Sequence, residues 1–207
     1  HAFHHTDDVT CMAYHRAKEG GDVMSVCATG EVGRNPKICI WSLGEGLPLQ
    51  KTLRGFHTKG ISRIAFSEDG TKVAAIGCDD NHSLSIYDWR QNKLLHSAET
   101  EKLLVLCLAF NENEGNAGKE HTWFVTAGKK HIKFWSKKGR GITGRRGTWN
   151  DGKNRKLSSS AFITCAVFLK SNPDTVIAST HTGILCSWSS KERKRTWDSS
   201  GNKNWNH

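Results

Sequence analysis

The chain has 207 residues, 36% of them hydrophobic and 24% charged, with 30 Lys and Arg against 20 Asp and Glu for a net charge of +10. That length allows one or two domains with real cores, and the composition falls in the range of ordinary globular chains. No apolar run approaches the roughly 18 residues that a membrane span needs, and the opening HAFHHTDDVT holds no secretory apolar stretch, so no membrane partner is expected. That opening also lacks an initiator Met, and the expectation is an excerpt of a longer protein.

Taken in chain order, short apolar runs fall into four similar units. The first unit reads VTCMAYH (9–15), VMSVCATG (23–30), KICIWS (37–42) and a weaker LQKTLRG (49–55). The second reads ISRIAFS (61–67), KVAAIG (72–77), SLSIYDW (83–89) and KLLHSA (93–98). LVLCLAF (104–110), TWFVTAG (122–128), HIKFWS (131–136) and RRGTW (145–149) make the third, and FITCAVF (162–168), TVIAST (175–180) and ILCSWS (184–189) the fourth. Each run alternates as a strand does; Ile38 and Ile40 fall on one face, Lys37, Cys39 and Trp41 on the other. Glu68-Asp69-Gly70 marks a hairpin between two of the runs, because glycine accepts the positive φ of such a turn.

The third run fixes the period. Its aromatic position is Trp41, Tyr87, Trp135 and Trp188, at intervals of 46, 48 and 53 residues. Four strands per repeat at that spacing predict an all-β fold, a WD-repeat β-propeller. Residues 1–55 read as blade 1, 56–99 as blade 2, 100–156 as blade 3 with a basic loop, 157–190 as a partial blade 4 and 191–207 as a polar tail. Such blades cover one another's faces, so these four are expected to belong to a larger, seven-bladed ring, and a free four-blade arc would expose apolar faces at both ends. The seven Cys show no zinc-ligand spacing and lie in strand-like runs, Cys11, Cys107 and Cys165 in register, which predicts buried, reduced thiols in a cytoplasmic protein.

The segments HTDDVTCMAYH (5–15), VCATGEVG (26–33), KICIW (37–41), GFHTKGISRIAFSEDG (55–70), DDNHSLSIYDW (79–89) and AGKKHIKFW (127–135) together closely resemble the echinoderm microtubule-associated protein-like (EML) family. The likeness extends over about residues 4–189. It implies the first of two fused propellers, a cytoskeletal location that extends to the cilium or flagellar axoneme, and partners among tubulin, microtubules and other cytoskeletal or axonemal proteins. The family's HELP segment and N-terminal coiled coil are not seen in this stretch.

Charge is concentrated late. Residues 129–207 hold 17 Lys and Arg against four acids. Lys129, Lys130, Lys133, Lys137, Lys138, Arg140, Arg145, Arg146, Arg155 and Lys156, together with Lys153, face a single acid, Asp151. They are the candidate site for microtubules or another acidic partner, and much of the stretch reads as the loop that joins strand three to strand four and then to the next blade, on the propeller rim. RNA or DNA would satisfy the same charge, with Trp149 available to stack, but no groove-reading helix or nucleic-acid motif accompanies it.

His5 and His57 stand where a histidine precedes the first strand of a blade. With Asp79, Asp80, Trp41, Trp135 and Trp188 they are read as a structural hydrogen-bond network rather than a metal site, although His4, His5, Asp7, Asp8 and His15 lie close in sequence. GRGITGRRG (139–147) lacks the P-loop pattern, and no hydrolase, zinc-protease or kinase signature occurs. The expectation is a protein without enzymatic activity, without cofactor and without metal: a microtubule-binding scaffold. The alternatives are an assembly scaffold with no direct tubulin contact and, behind it, a nucleic-acid-binding propeller.

Overall fold

Val, Ile and aromatic residues at every second position favour extended chain, because a branched or planar side chain packs well on a pleated surface. A computed structural model of the chain describes residues 4–16, 24–111, 122–148 and 161–198. Among these it shows β1 (Val9–His15), β2 (Val26–Glu31), β3 (Ile38–Ser42), β4 (Leu49–Leu53), β5 (Ile61–Phe66), β6 (Lys72–Gly77), β7 (Ser83–Asp88) and β8 (Lys93–Glu99). They are followed by β9 (Val105–Phe110), β10 (Thr122–Gly128), β11 (His131–Lys138), β12 (Gly141–Arg146), β13 (Ile163–Phe168), β14 (Thr175–Thr180), β15 (Leu185–Ser189) and β16 (Lys194–Asp198). Each consecutive four form one antiparallel meander, the form of a propeller blade. The chain divides into two compact units, residues 1–102 with blades 1 and 2 and residues 103–207 with blades 3 and 4.

Two strands differ from the sequence reading. β12 begins at Gly141, not Arg145, because Gly139 takes a positive φ of 57° and lets Lys138 pair directly with Gly141. What reads as a basic loop is therefore a tight hairpin and an edge strand. β16 lies within the segment read as a polar tail and completes blade 4: Ser189 pairs with Lys194 and Trp188 with Arg195. A backbone ladder needs no apolar side chains, so periodicity alone does not reveal it.

In the first unit, Val26, Ala28, Ile38 and Ile40 of blade 1 pack with Ile61, Ile64, Val73, Ala75 and Tyr87 of blade 2. Thr10 donates to the Ile61 carbonyl at 2.6 Å, which seats β1 on β5. The second unit repeats the scheme. Cys107, Val125, Ala127, Ile132 and Phe134 of blade 3 meet Ile163, Ala166, Phe168, Val176 and Trp188 of blade 4. Each Val, Ile or Phe among them, when fully buried, contributes about 1.5–3 kcal/mol. The face of each unit that no blade of the same unit covers carries exposed apolar residues, Met12 (70%) and Tyr14 (58%) on blade 1 and Val167 and Leu185 on blade 4.

The cysteines follow this division. All seven are free thiols. Cys27, Cys39, Cys107 and Cys186 are buried and Cys11 half-buried, but Cys78 and Cys165 are exposed, against the expectation of buried thiols throughout. Cys165 occupies the register of Cys107, yet in its own unit no further blade packs over that face; Cys78 lies in the turn after β6.

At the end of β10, Gly128 passes so close to the chain entering β9 that a Cβ there would run into the Leu104 carbonyl oxygen. The crowding atom is backbone and cannot rotate away. Gly128→Ala should therefore lower stability by about 1–3 kcal/mol. Gly141→Ala, whose nearest neighbour is 3.8 Å away, should change it by less than about 0.5 kcal/mol. Urea unfolding of both variants checks this; equal losses would sink the explanation.

Candidate functional site

The buried polar groups of the blades are satisfied differently in each. In blade 1 the His5 ring contacts Glu31 Oε2 at 2.9 Å through Nδ1 and Thr29 Oγ1 at 2.7 Å through Nε2. The Trp41 indole N–H donates to the same Thr29 hydroxyl at 2.8 Å. Burial works to raise the pKa of Glu31, but the Thr6 amide, His5 and the Lys37 amide outweigh it and hold the carboxyl below its ordinary range. Glu31, which the sequence reading did not single out, is thus the acid of this network.

Blade 2 moves the hydroxyl across the ladder. Thr29 pairs with Cys39 in blade 1; in blade 2 the equivalent pair is Ala75 and Ser85. His57 accordingly contacts Ser85 Oγ at 2.7 Å and Ser83 Oγ at 3.2 Å. Asp79 accepts from the Ser83 amide and hydroxyl and the Asn81 amide, which keep its pKa low against the opposing effect of burial. Asp80 is not in the network. It pairs with Lys59 at 3.0 Å on the surface, because Asp79 folds back over the turn and its neighbour points away.

In blade 3, Trp135 donates to Thr126 Oγ1 at 2.9 Å. Blade 4 has Ala178 opposite Cys186 and so has no hydroxyl at that position. The Trp188 indole instead donates to the Thr148 carbonyl at 2.9 Å, which ties blade 4 to the end of blade 3. Trp188 thus acts as a link between blades.

The basic residues do not form one patch. Lys129 and Lys130 lie at the β10–β11 turn, where Lys129 sits 5.4 Å from the Phe162 ring centre. Lys137, Lys138 and Arg140 lie at the far end of β11, which is eight residues long, a span of about 25 Å at strand rise. Strand alternation divides the rest. Lys133 and Lys137 lie over the rings of Trp135 and Trp123, at 4.7 and 4.3 Å. Opposite Trp135 in the ladder is Gly144, whose missing side chain leaves room for that ring. Arg146 pairs with Lys133 in the same ladder. Ser136, Lys138, Thr143 and Arg145 line a cleft of about 240 Å³, bounded also by Thr122, Phe134 and Lys137.

Arg193 closes that cleft from the β15–β16 turn of blade 4, a residue the sequence reading left in the polar tail. The run KERKR (191–195) was the available signal. Arg155 and Lys156, with Lys153 and Trp149, lie outside the described residues.

Burial pushes the Cys11 thiol up to about 11 and raises Cys27, Cys39 and Cys78 as well, away from the thiolate form that a nucleophile needs.

The model of the echinoderm microtubule-associated protein first β-propeller matches residues 1–203. Among curated proteins, the chain is 28% identical over 193 residues to echinoderm microtubule-associated protein-like 4 of Xenopus laevis, covering 91% of this chain and 19% of that one. It is 27% identical over 185 residues to echinoderm microtubule-associated protein-like 1 of Homo sapiens, covering 87% and 21%. The chain therefore spans about a fifth of the length of these relatives. The β-propeller domain of Cps50 (Swd1) from Myceliophteria thermophila superposes with a TM-score of 0.70 at 18% identity, over 93% of this chain and 55% of that domain, a likeness of fold.

His57 gives the network a pH signature. Burial pushes its pKa down from 6.5 to about 4, although Asp79 pulls the other way. The unfolded chain thus takes up a proton near pH 6.5 that the folded chain refuses until about pH 4. The contribution of neutral His57 is complete above 6.5 and is lost as pH falls toward 4, with a slope of at most about 1.4 kcal/mol per pH unit. Urea unfolding of the parent between pH 7 and 4.5 should show that slope, and His57→Asn should flatten it. An unchanged slope in the variant would assign the acid sensitivity elsewhere.

Proposed function

This chain belongs to the echinoderm microtubule-associated protein first β-propeller family, and from that premise we propose that it is part of a non-catalytic, microtubule-associated scaffold on the cytoskeleton that meets an acidic tubulin surface through the β11–β12 hairpin. The observation that carries this reading is the hairpin itself: Lys138, Arg140 and Arg145 are exposed on a tight turn and its edge strand, and no acid occurs from residue 129 to 148. Clustered cations of this kind steer an acidic polymer to the surface by a field that salt screens. The relatives' names supply the polymer. Lys133 and Lys137 contribute field but also cap aromatic rings, and Lys129 and Lys130 serve the opposite end of the blade. The cilium or axoneme is a further proposed location, resting on the family resemblance alone.

The second reading is a protein-assembly scaffold with no direct tubulin contact. It draws on the exposed apolar side chains Met12 and Tyr14 of the first unit and Val167 and Leu185 of the second.

Co-sedimentation with microtubules separates the two. Direct binding should fall steeply when salt is raised from about 50 to 300 mM. The triple variant Lys138→Glu, Arg140→Glu, Arg145→Glu should weaken it by about tenfold or more at low salt while leaving the thermal melt unchanged. Pelleting that ignores both salt and the triple variant would favour apolar docking through other surfaces. A chain that is folded but never pellets would remove direct tubulin contact from the proposal.

A further inference from the structure

We propose that the cleft between the β11–β12 hairpin and the β15–β16 turn is a binding site for a phosphate monoester, carried as phosphoserine or phosphothreonine by a partner protein. The proposal goes beyond microtubule attachment and does not depend on it.

The ladder assembles the site. On one face of the hairpin Ser136 stands opposite Thr143, and Arg145 opposite Phe134. Side chains directly opposite on one face have Cβ atoms about 4.5–5.5 Å apart, so the two hydroxyls and the guanidinium form a compact set. Lys138 follows on the same face, opposite Gly141, which has no side chain to close the mouth. Arg193 approaches from the neighbouring blade, at a turn residue with φ of 58°. Its carbonyl accepts from the Thr148 amide at 2.8 Å, and the Ser190 carbonyl accepts from Thr122 Oγ1 at 3.3 Å. Those bonds hold the turn against blade 3, so the cleft exists before any ligand arrives. Among the described residues, no ion pair engages Lys138, Arg145 or Arg193.

Chemistry selects the ligand. Four cations, Lys137, Lys138, Arg145 and Arg193, line the cleft with the hydroxyls of Thr122, Ser136 and Thr143, and no acid is among the lining residues. A carboxylate carries one charge and two oxygens, and one Arg satisfies it. A phosphate monoester carries close to two charges and three oxygens that each accept more than one hydrogen bond, which suits several cations with hydroxyls beside them. Size selects its carrier. The cleft, at about 240 Å³, is smaller than the roughly 300–1,000 Å³ typical of pockets that enclose a whole small molecule. It fits a phosphorylated side chain whose backbone stays outside.

The test is fluorescence anisotropy of a labelled Gly/Ser/Ala peptide carrying one phosphothreonine, compared with its unphosphorylated and Thr→Glu forms. At physiological salt the phosphopeptide should bind at least about tenfold tighter than either. Arg193→Gln should weaken it by about tenfold and Thr143→Val by about threefold, while Lys130→Asn, at the far end of β11, should stay within about twofold. Thermal melts matching the parent show that these variants are folded, and Thr143→Val, which keeps the shape of the side chain, is read if Arg193→Gln is not. Equal binding of the glutamate and phosphorylated forms, or an equal loss in Lys130→Asn, would overturn a discrete site in favour of a diffuse basic field. Binding of inorganic phosphate without retention of the peptide would overturn the protein partner, and stronger competition by single-stranded RNA than by the phosphopeptide would do the same. Microtubule pelleting of Arg193→Gln should match the parent, so failure of the phosphate site and failure of tubulin attachment give different patterns.

Discussion

The packing of one blade's face on the next is the interaction on which the rest of this chain depends. Each sheet is apolar on both sides, and water is excluded only where a neighbour lies within van der Waals reach. In the first unit Ile38 and Ile40 meet Ile61 and Ile64; in the second Ile132 and Phe134 meet Ala166 and Trp188. Such closeness requires small residues where two backbones converge. Gly30 of blade 1 lies against Ile61 of blade 2, and within blade 3 Gly128 lies against the Leu104 carbonyl. The same demand explains why equivalent cysteines differ in exposure: Cys107 is covered by blade 4, while Cys165 is at the same register with no blade of its unit over it.

Burial of this kind forces an account of every polar group it encloses. The indole N–H of the third-strand Trp needs an acceptor in each blade that has one. Thr29 and Thr126 supply it in blades 1 and 3. Blade 2 replaces the Trp by Tyr87 and shifts the hydroxyl to Ser85, which also serves His57 and bonds the Tyr87 phenol. Blade 4 has neither hydroxyl, and Trp188 reaches to the Thr148 carbonyl of the preceding blade. The requirement is constant and its solution is local, so a motif shared by all four blades is legible only as an aromatic at fixed spacing.

The same alternation that builds the core sorts the charge. A basic segment read as a loop would display all its lysines together. As a two-stranded hairpin it sends Lys133 and Lys137 over Trp135 and Trp123, and Lys138 and Arg145 into the cleft, which Lys137 also borders. One face spends its cations on covering aromatic rings that would otherwise meet water. The other holds cations beside Ser136 and Thr143, where a ligand can reach them.

The repeat, the strands that carry apolar alternation and the family are legible in the amino-acid sequence, because periodicity and the segments from HTDDV to IKFW are local properties of the chain. The sequence also pointed to the histidines, since His5 and His57 recur at one place in the repeat. It placed β12 four residues late and did not reveal β16; the residues of both are largely polar, and their extent rests on backbone pairing with β11 and β15. Nor did it reveal Glu31 as the partner of His5, the separation of Asp80 from Asp79, or the approach of Arg193 to Arg145. These are meetings between residues 26 to 48 positions apart or between neighbours that point opposite ways. Only the tertiary structure decides them, because spacing along a strand records which face a side chain occupies but not what the next blade brings to that face.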